Sequence, residues 1–129
     1  MQQVKPNIVL IENDALSVSL YERELSDYFN LIICHTEVEA TAAVSQLPIA
    51  SIILEPANGN HWVWHFWEQL KQTVDTQNIP VVFCTILDER KKALERGAAN
   101  YLMKPVYADV LRKQIQALLE THGGVNLKD

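Results

Sequence analysis

The chain has 129 residues, of which 48% are hydrophobic and 21% charged, with only four Gly and five Pro. This composition predicts one packed globular domain and excludes a disordered or fibrous chain. Sixteen acidic and eleven basic side chains give a net charge of -5. No basic stretch is interleaved with aromatic residues, so we do not expect a nucleic-acid surface.

No segment reaches the roughly eighteen consecutive apolar residues of a membrane span, and Met1 to Asn7 lack the apolar core of a signal peptide. We therefore expect a cytoplasmic protein without membrane contact. The two cysteines, Cys34 and Cys84, lie in apolar runs without metal-ligand spacing. This placement predicts buried, reduced thiols.

Five short runs rich in Ile, Val and Leu predict β-strands. Because the runs are continuously apolar instead of alternating, both faces of each strand should be covered, as in a parallel sheet. The predicted strands are Asn7 to Ile11, Leu31 to Cys34, Ala50 to Leu54, Pro80 to Thr85, and Asn100 to Met103.

The segments between these strands have apolar residues at helical spacing. Asp14 is placed to cap the first helix, and Thr36 with Glu39 has the spacing of a capping box at the start of the second. Gly97 is expected to end the fourth helix in a left-handed conformation. The other predicted bounds are Ala15 to Phe29, His61 to Val74, Asp88 to Arg96 and Ala108 to Thr121, with a domain of residues 1–122 and a flexible tail of residues 123–129.

Three of the predicted helices have an inward apolar stripe. In the first helix it consists of Leu16, Leu20, Tyr21, Leu25 and Tyr28, in the third of Val63, Phe66, Trp67 and Leu70, and in the fifth of Val110, Leu111, Ile115, Leu118 and Leu119. Trp62 and Trp64 flank the stripe of the third helix, where we expect them to pack in the core, the alternative being an exposed partner anchor. His61 and His65 are expected at the surface.

The strict alternation of strand and helix predicts an α/β fold with helices on both faces of one parallel sheet. In such doubly wound sheets the ligand lies beyond the carboxyl ends of the strands. The polar residues at these ends are Glu12, Asn13, Asp14, Glu55, Thr85 and Lys104. They could bind a cation or a phosphoryl group, or each could merely cap a helix or face solvent.

Four stretches resemble the successive signatures of response-regulator receiver domains: IVLIEND at residues 8–14, IILE at 52–55, IPVVFCT at 79–85, and GAANYLMKP at 97–105. The resemblance covers nearly the whole chain. It implies a flavodoxin-like, doubly wound, five-stranded parallel sheet in the order 2-1-3-4-5 with five helices.

The resemblance also implies a role for each site residue. Glu12 and Asn13 occupy the positions of an acidic pair that holds Mg²⁺, and Glu55 occupies the position of the aspartate that accepts phosphate from a His kinase. Thr85 and Lys104 occupy the positions that contact the phosphate. Tyr101 corresponds to the aromatic residue that rotates inward on activation, and Pro105 should follow a cis peptide bond.

Two departures from the receiver pattern alter this expectation. Asn13 lacks the charge of a carboxylate, so Mg²⁺ should bind weakly at Glu12, Asn13 and Glu55 or not at all, and we expect no cofactor. Glu55 is one methylene longer than aspartate, which makes ordinary phosphotransfer unfavourable. Its fixed negative charge, directed at Lys104, could instead imitate a phosphorylated aspartate or be inert.

We therefore predict a pseudo-receiver, not an enzyme, that signals without phosphorylation through contact with a protein partner. The expected partner is a sensor His kinase or an output domain, and a homodimer through the fourth helix, fifth strand and fifth helix is a further expectation. The stretch between Thr85 and Lys104 is shorter than in the family, which alters its switch region. The alternatives are a working receiver with an altered site, and a flavodoxin-like binder or small hydrolase that shares only the architecture.

Overall fold

A computed structural model of the protein describes residues 4–56, 61–85 and 90–122. The strands are β1 (Asn7–Ile11), β2 (Asn30–Cys34), β3 (Ser51–Leu54), β4 (Val81–Thr85) and β5 (Asn100–Met103). The helices are α1 (Ala15–Leu25), α2 (Glu37–Gln46), α3 (Val63–Gln72), α4 (Arg90–Glu95) and α5 (Ala108–His122). The predicted tail and the predicted first residues of the fourth helix lie outside the described residues.

All five strands are parallel and form one sheet in the order β2-β1-β3-β4-β5. The predicted fold class and strand order are confirmed. The chain winds outward from β1 in one direction to β2 and in the other to β3, so the order of winding reverses between β1 and β3. This reversal opens a crevice beyond the carboxyl ends of β1 and β3.

Each face of the sheet has its own apolar core. Alternate residues of a strand point to opposite faces, so Val9 and Ile11 of β1 pack on the side of α2 and α3, while Ile8 and Leu10 pack on the side of α1 and α5. The inner strands β3 and β4 are buried at every residue. The continuously apolar runs in the sequence therefore reflect a sheet covered on both faces.

The first helix is shorter than predicted. It ends at Leu25, and the amides of Tyr28 and Phe29 both donate to the Leu25 carbonyl in the turn that follows. Because helical spacing stops there, Phe29 is buried and Tyr28 is not; Leu16 is 72% exposed. Only Tyr21 and Leu25 of the predicted stripe are buried, whereas all four residues of the α3 stripe are.

The predicted helix ends have the expected polar contacts. The Ser17 amide donates to Asp14 Oδ2 (3.0 Å) at the start of α1, and the Glu39 amide donates to Thr36 Oγ1 (3.1 Å) at the start of α2. The Glu39 carboxylate accepts a hydrogen bond from the His35 amide, which precedes α2. Gly97 follows α4 with φ of 93°, a conformation that favours glycine.

None of the five helices described has the length and hydropathy needed to cross a lipid bilayer.

Candidate functional site

Two buried carboxylates lie side by side where β1 and β3 end. Ile11 pairs with Leu54 in the parallel register, and Glu12 and Glu55 are the next residues of the two strands. The Glu55 amide donates to the Ile11 carbonyl (3.0 Å), which extends the pairing by one step. Each of the two residues is 1% exposed. The strand register thus brings both carboxylates into the crevice.

Lys104 supplies the positive charge between them. It directly follows β5, two strands away from β3, and its amide donates to the Thr85 carbonyl at the end of β4 (2.9 Å). From there its side chain extends past β4, and Nζ lies 2.7 Å from Glu12 Oε1 and 3.3 Å from Glu55 Oε2. Lys104 therefore has two carboxylate partners, and the nearer one is Glu12. The expectation from the sequence had considered only Glu55.

The second oxygen of Glu12 is also occupied. Oε2 accepts a hydrogen bond from the Asp14 amide (3.1 Å). The Asp14 carboxylate itself does not enter the crevice, because it caps α1 through the amide and the hydroxyl of Ser17. Asp14 is thus a capping residue, and the Ser17 hydrogen bonds lower the pKa of its carboxyl.

Burial and pairing act in opposite directions on the charges of the site. Burial raises the pKa of Glu12 and outweighs the Lys104 ion pair and the Asp14 amide, which favour the ionised form. For Lys104, burial disfavours the charge, but the hydrogen bond and charge of Glu12, with a contribution from Glu55, prevail and raise the pKa. The charged form of Lys104 is therefore stabilised in the site, whereas burial disfavours the ionised form of Glu12.

The remaining predicted site residues lie nearby in different environments. Thr85 is fully buried at the end of β4, whereas Asn13 is exposed. Tyr101 pairs with Phe83 in the sheet and is 8% exposed, so its side chain is buried. The peptide bond between Lys104 and Pro105 is cis.

The side chains of the crevice fit Mg²⁺ poorly. Both oxygens of Glu12 already accept hydrogen bonds, and the Lys104 ammonium faces Glu55 as well. Among residues 4–56, 61–85 and 90–122, no three or more His, Cys, Asp or Glu side chains form a group suited to a metal. Mg²⁺ prefers several oxygen ligands at short distance, so it would have to displace the ammonium.

The aromatic cluster of α3 is mostly intramolecular packing. Trp62 and Trp64 are half-buried, Trp62 edge-on to Phe66 (6.0 Å between ring centroids) and Trp64 stacked on Phe83 (5.3 Å). His65 is exposed and contacts Glu37 of α2. The contact between His65 and Glu37 and the contacts of the α4 cations with aromatic rings were not predicted from the sequence. For the cations, the only sequence signal was the four-residue spacing of Lys92 and Arg96.

The chain is similar in sequence to parts of several longer proteins. No protein-family model matches the chain. The transcriptional regulatory protein CiaR of Streptococcus pneumoniae is 32% identical over 127 residues, which cover 92% of this chain and 54% of that protein. The chain spans 52% of the transcriptional regulatory protein CitT of Halalkalibacterium halodurans and 26% of a probable cyclic di-GMP phosphodiesterase of Vibrio cholerae.

Solved structures share the fold over nearly the whole chain. The signal receiver domain of a histidine kinase from Syntrophus aciditrophicus superposes with a TM-score of 0.80 at 23% identity, over 95% of this chain and 96% of that one. The receiver domain of a sensor histidine kinase from Pseudomonas aeruginosa, with magnesium coordinated in its active site cleft, gives 0.78 at 15% identity, over 90% and 98%.

The sheet order and the crevice define a doubly wound domain of the flavodoxin-like class. Within that class, the chain has the fold of the receiver domains on which it superposes, and its sequence is similar to part of two transcriptional regulators.

Proposed function

We propose that the chain is a receiver domain and serves as a cytoplasmic signalling module of a two-component system that acts without being phosphorylated. It is not an enzyme in this proposal, and it signals through contact with a protein, either a sensor His kinase or an output domain. The observation that carries the proposal is the closed ion cluster, in which Lys104 Nζ lies 2.7 Å from Glu12 and 3.3 Å from Glu55.

The ion cluster supports the proposal because the Lys104 ammonium, which would contact a phosphoryl group, is already paired with two carboxyl groups. A phosphoryl oxygen would have to displace a carboxylate from an ammonium that is 10% exposed. Separating such a buried pair leaves an uncompensated charge, which is strongly unfavourable. Glu12 would then be left without the partner that offsets its burial.

The residue at the acceptor position, Glu55, also supports action without phosphorylation. Glu55 is longer than aspartate by one methylene, and its carboxylate lies within reach of Lys104 without a phosphoryl group between them. In-line attack on a phosphodonor requires positioning to a fraction of an ångström, and a misplacement of about 1 Å costs on the order of a hundredfold in rate.

Signalling then depends on a surface and not on a reaction. The surface we propose consists of α4, β5 and α5, where a second copy of the chain or an output domain would dock. Leu94, Met103 and Val110 of these elements are 40% exposed or more. The chain spans about half of the length of the two transcriptional regulators to which it is similar.

The test is incubation with a small phosphodonor and Mg²⁺, followed by intact-mass measurement. We expect no gain of a phosphoryl group. The matched control is the double variant Glu55→Asp with Asn13→Asp, which restores the family's carboxylates and should gain one. A stable phosphoryl group on Glu55 of the unaltered protein would refute the proposal and favour the working receiver.

A second experiment separates a phosphate mimic from an inert scaffold. If the Glu55 charge holds the active arrangement, Glu55→Gln shifts the oligomeric state in analytical ultracentrifugation. Because Glu12 continues to neutralise Lys104 in this variant, the fold should be retained. Unchanged sedimentation would exclude the hypothesis that Glu55 mimics a phosphorylated aspartate. The domain would then be a receiver whose output does not depend on residue 55.

A further inference from the structure

Helix α4 has little apolar surface with which to hold itself on the domain. It has six residues, of which only Ala93 is buried, and Leu94 is 50% exposed. A helix of this length is unstable alone, because so few hydrogen bonds do not offset the cost of starting it. Contacts other than apolar burial must therefore fix its position.

Two cations of the α4 segment converge on one aromatic ring. Lys92 Nζ lies 4.3 Å and Arg96 Cζ 4.8 Å from the centroid of Trp64. The two residues are four positions apart and lie on one side of the helix, where like charges repel. The electron-rich face of an indole attracts both cations, which compensates for that repulsion.

Trp64 is itself joined to the core. Its ring stacks on Phe83 of β4, with centroids 5.3 Å apart and an angle of 30° between the planes, and it lies 5.8 Å from the ring of Trp67. Phe83 and Trp67 are almost completely buried. Trp64 thus connects the cations of α4 to the central sheet.

Two other contacts of the α4 segment are a longer cation–ring contact and an exposed ion pair. Arg90 lies 5.6 Å from the ring centroid of Tyr101 at the start of the helix. Arg96 is 3.9 Å from Glu68, but both side chains are largely exposed, and such surface pairs contribute little. The Trp64 contacts are the closest cation–ring contacts of the helix.

We propose that Trp64 is a positioning residue that fixes α4 on the domain through Lys92 and Arg96, so that the exposed side of α4 meets a protein partner in one orientation. This inference goes beyond the proposed function, because it holds whether or not the domain is phosphorylated. It gives Trp64 an intramolecular role in place of a partner anchor.

The test is hydrogen–deuterium exchange of the amides of residues 90–96. Lys92→Gln combined with Arg96→Gln should increase their exchange by about tenfold, as expected for the loss of two cation–ring contacts. Amides of β4 and α5 should be unaffected. The single variants Lys92→Gln and Lys91→Gln form a matched pair, since Lys91 is exposed on the same helix. The amides of α4 should exchange faster in Lys92→Gln than in Lys91→Gln.

Trp64→Leu keeps an apolar side chain but removes the ring, and it should increase exchange in α4 as much as the double variant does. Glu55→Gln should leave exchange in α4 unchanged, which separates this inference from the phosphate-mimic idea. Equal exchange in Lys92→Gln and Lys91→Gln would overturn it. The lysine pair leaves the core intact and decides the question even if Trp64→Leu fails to fold.

Discussion

Lys104 carries a single positive charge between two buried carboxylates. Its Nζ lies 2.7 Å from Glu12 Oε1 and 3.3 Å from Glu55 Oε2, so one cation serves two buried carboxyl groups. The buried lysine therefore matters more for stability than either carboxylate alone. Removing one partner of a buried ion cluster is costly, whereas exposed pairs contribute little.

Replacing Lys104 by Met tests the contribution of the buried lysine to stability. At pH 8 we expect Lys104→Met to lower the free energy of unfolding by about 3–5 kcal/mol, because two buried carboxylates lose their counter-charge. Urea denaturation measures the change. Lys113→Met on the exposed side of α5 is the control and should cost under about 0.5 kcal/mol; similar losses in the two variants would contradict the prediction.

The raised pKa of Glu12 predicts a pH dependence of stability. The native state holds the Glu12 proton above the ordinary pKa of 4.5, so this residue contributes stability at low pH that is lost as the pH rises through the native pKa. The slope is at most about 1.4 kcal/mol per pH unit.

Glu12→Gln should remove that part of the pH dependence. Denaturation at a series of pH values should show the variant gaining on the unaltered protein as the pH rises above 4.5. Glu22→Gln, on the exposed side of α1, should run parallel to the unaltered protein. A parallel profile for Glu12→Gln as well would mean that Glu12 titrates normally.

Much of the site was predictable from the sequence, because a parallel sheet brings the carboxyl ends of its strands to one edge. Glu12, Glu55 and Lys104 each directly follow a strand, so their proximity follows from strand assignment alone. Which carboxylate Lys104 contacts more closely was not predictable, because it depends on how a flexible side chain passes β4. The capping role of Asp14 was predicted correctly from its position before α1.

At the scale of elements, the end of α4 depends on one backbone conformation. Gly97 has φ of 93°, and a Cβ built there would meet only the end of the Lys71 side chain at 3.6 Å. Space is therefore available, and the cost of substitution comes from the backbone.

Gly97→Ala should lower the free energy of unfolding by about 1–2 kcal/mol, the cost of a left-handed conformation for a residue with a Cβ. Gly97→Asn should lower it less, because Asn tolerates this conformation better. Thermal unfolding measures both. Equal losses would show that the side chain, and not the backbone, is responsible.

Element boundaries show where sequence patterns fall short. The apolar spacing of α1 continues to Tyr28, but the helix ends at Leu25, because the following backbone turns to lead into β2. Strand β4 begins at Val81 and not at Pro80, which has no amide hydrogen to donate; the Pro80 carbonyl instead accepts from Ser51 Oγ and the Ile52 amide. Periodicity reports which residues are apolar, and it does not report where the backbone turns.

Across the domain as a whole, the two cysteines lie in the apolar cores on opposite faces of the sheet. Cys34 packs on the side of α2 and α3 and Cys84 on the side of α1 and α5. Burial raises the pKa of Cys34 to about 11 and that of Cys84 to about 12, so neither is a reactive thiolate near neutral pH.

Both thiols should be protected until the domain unfolds. At pH 8 we expect a thiol reagent to label neither cysteine within minutes in buffer and to label both at once in denaturant, as followed by absorbance and intact mass. Denaturant titrations should give coincident labelling midpoints for Cys34→Ala and Cys84→Ala. Separate midpoints would show that one face of the sheet opens before the other.

The bond from Lys104 to Glu12 joins residues that are 92 positions apart in the chain. During synthesis, β1 and β3 leave the ribosome well before the lysine, so the two carboxylates approach each other while no cation is present to separate their charges. Repulsion between the two carboxylates therefore disfavours closure of this part of the sheet, or favours protonation of a carboxylate, until the last strand emerges. The pairing of Lys104 with the two carboxylates is then a late step of folding, and it precedes any role of Lys104 in signalling.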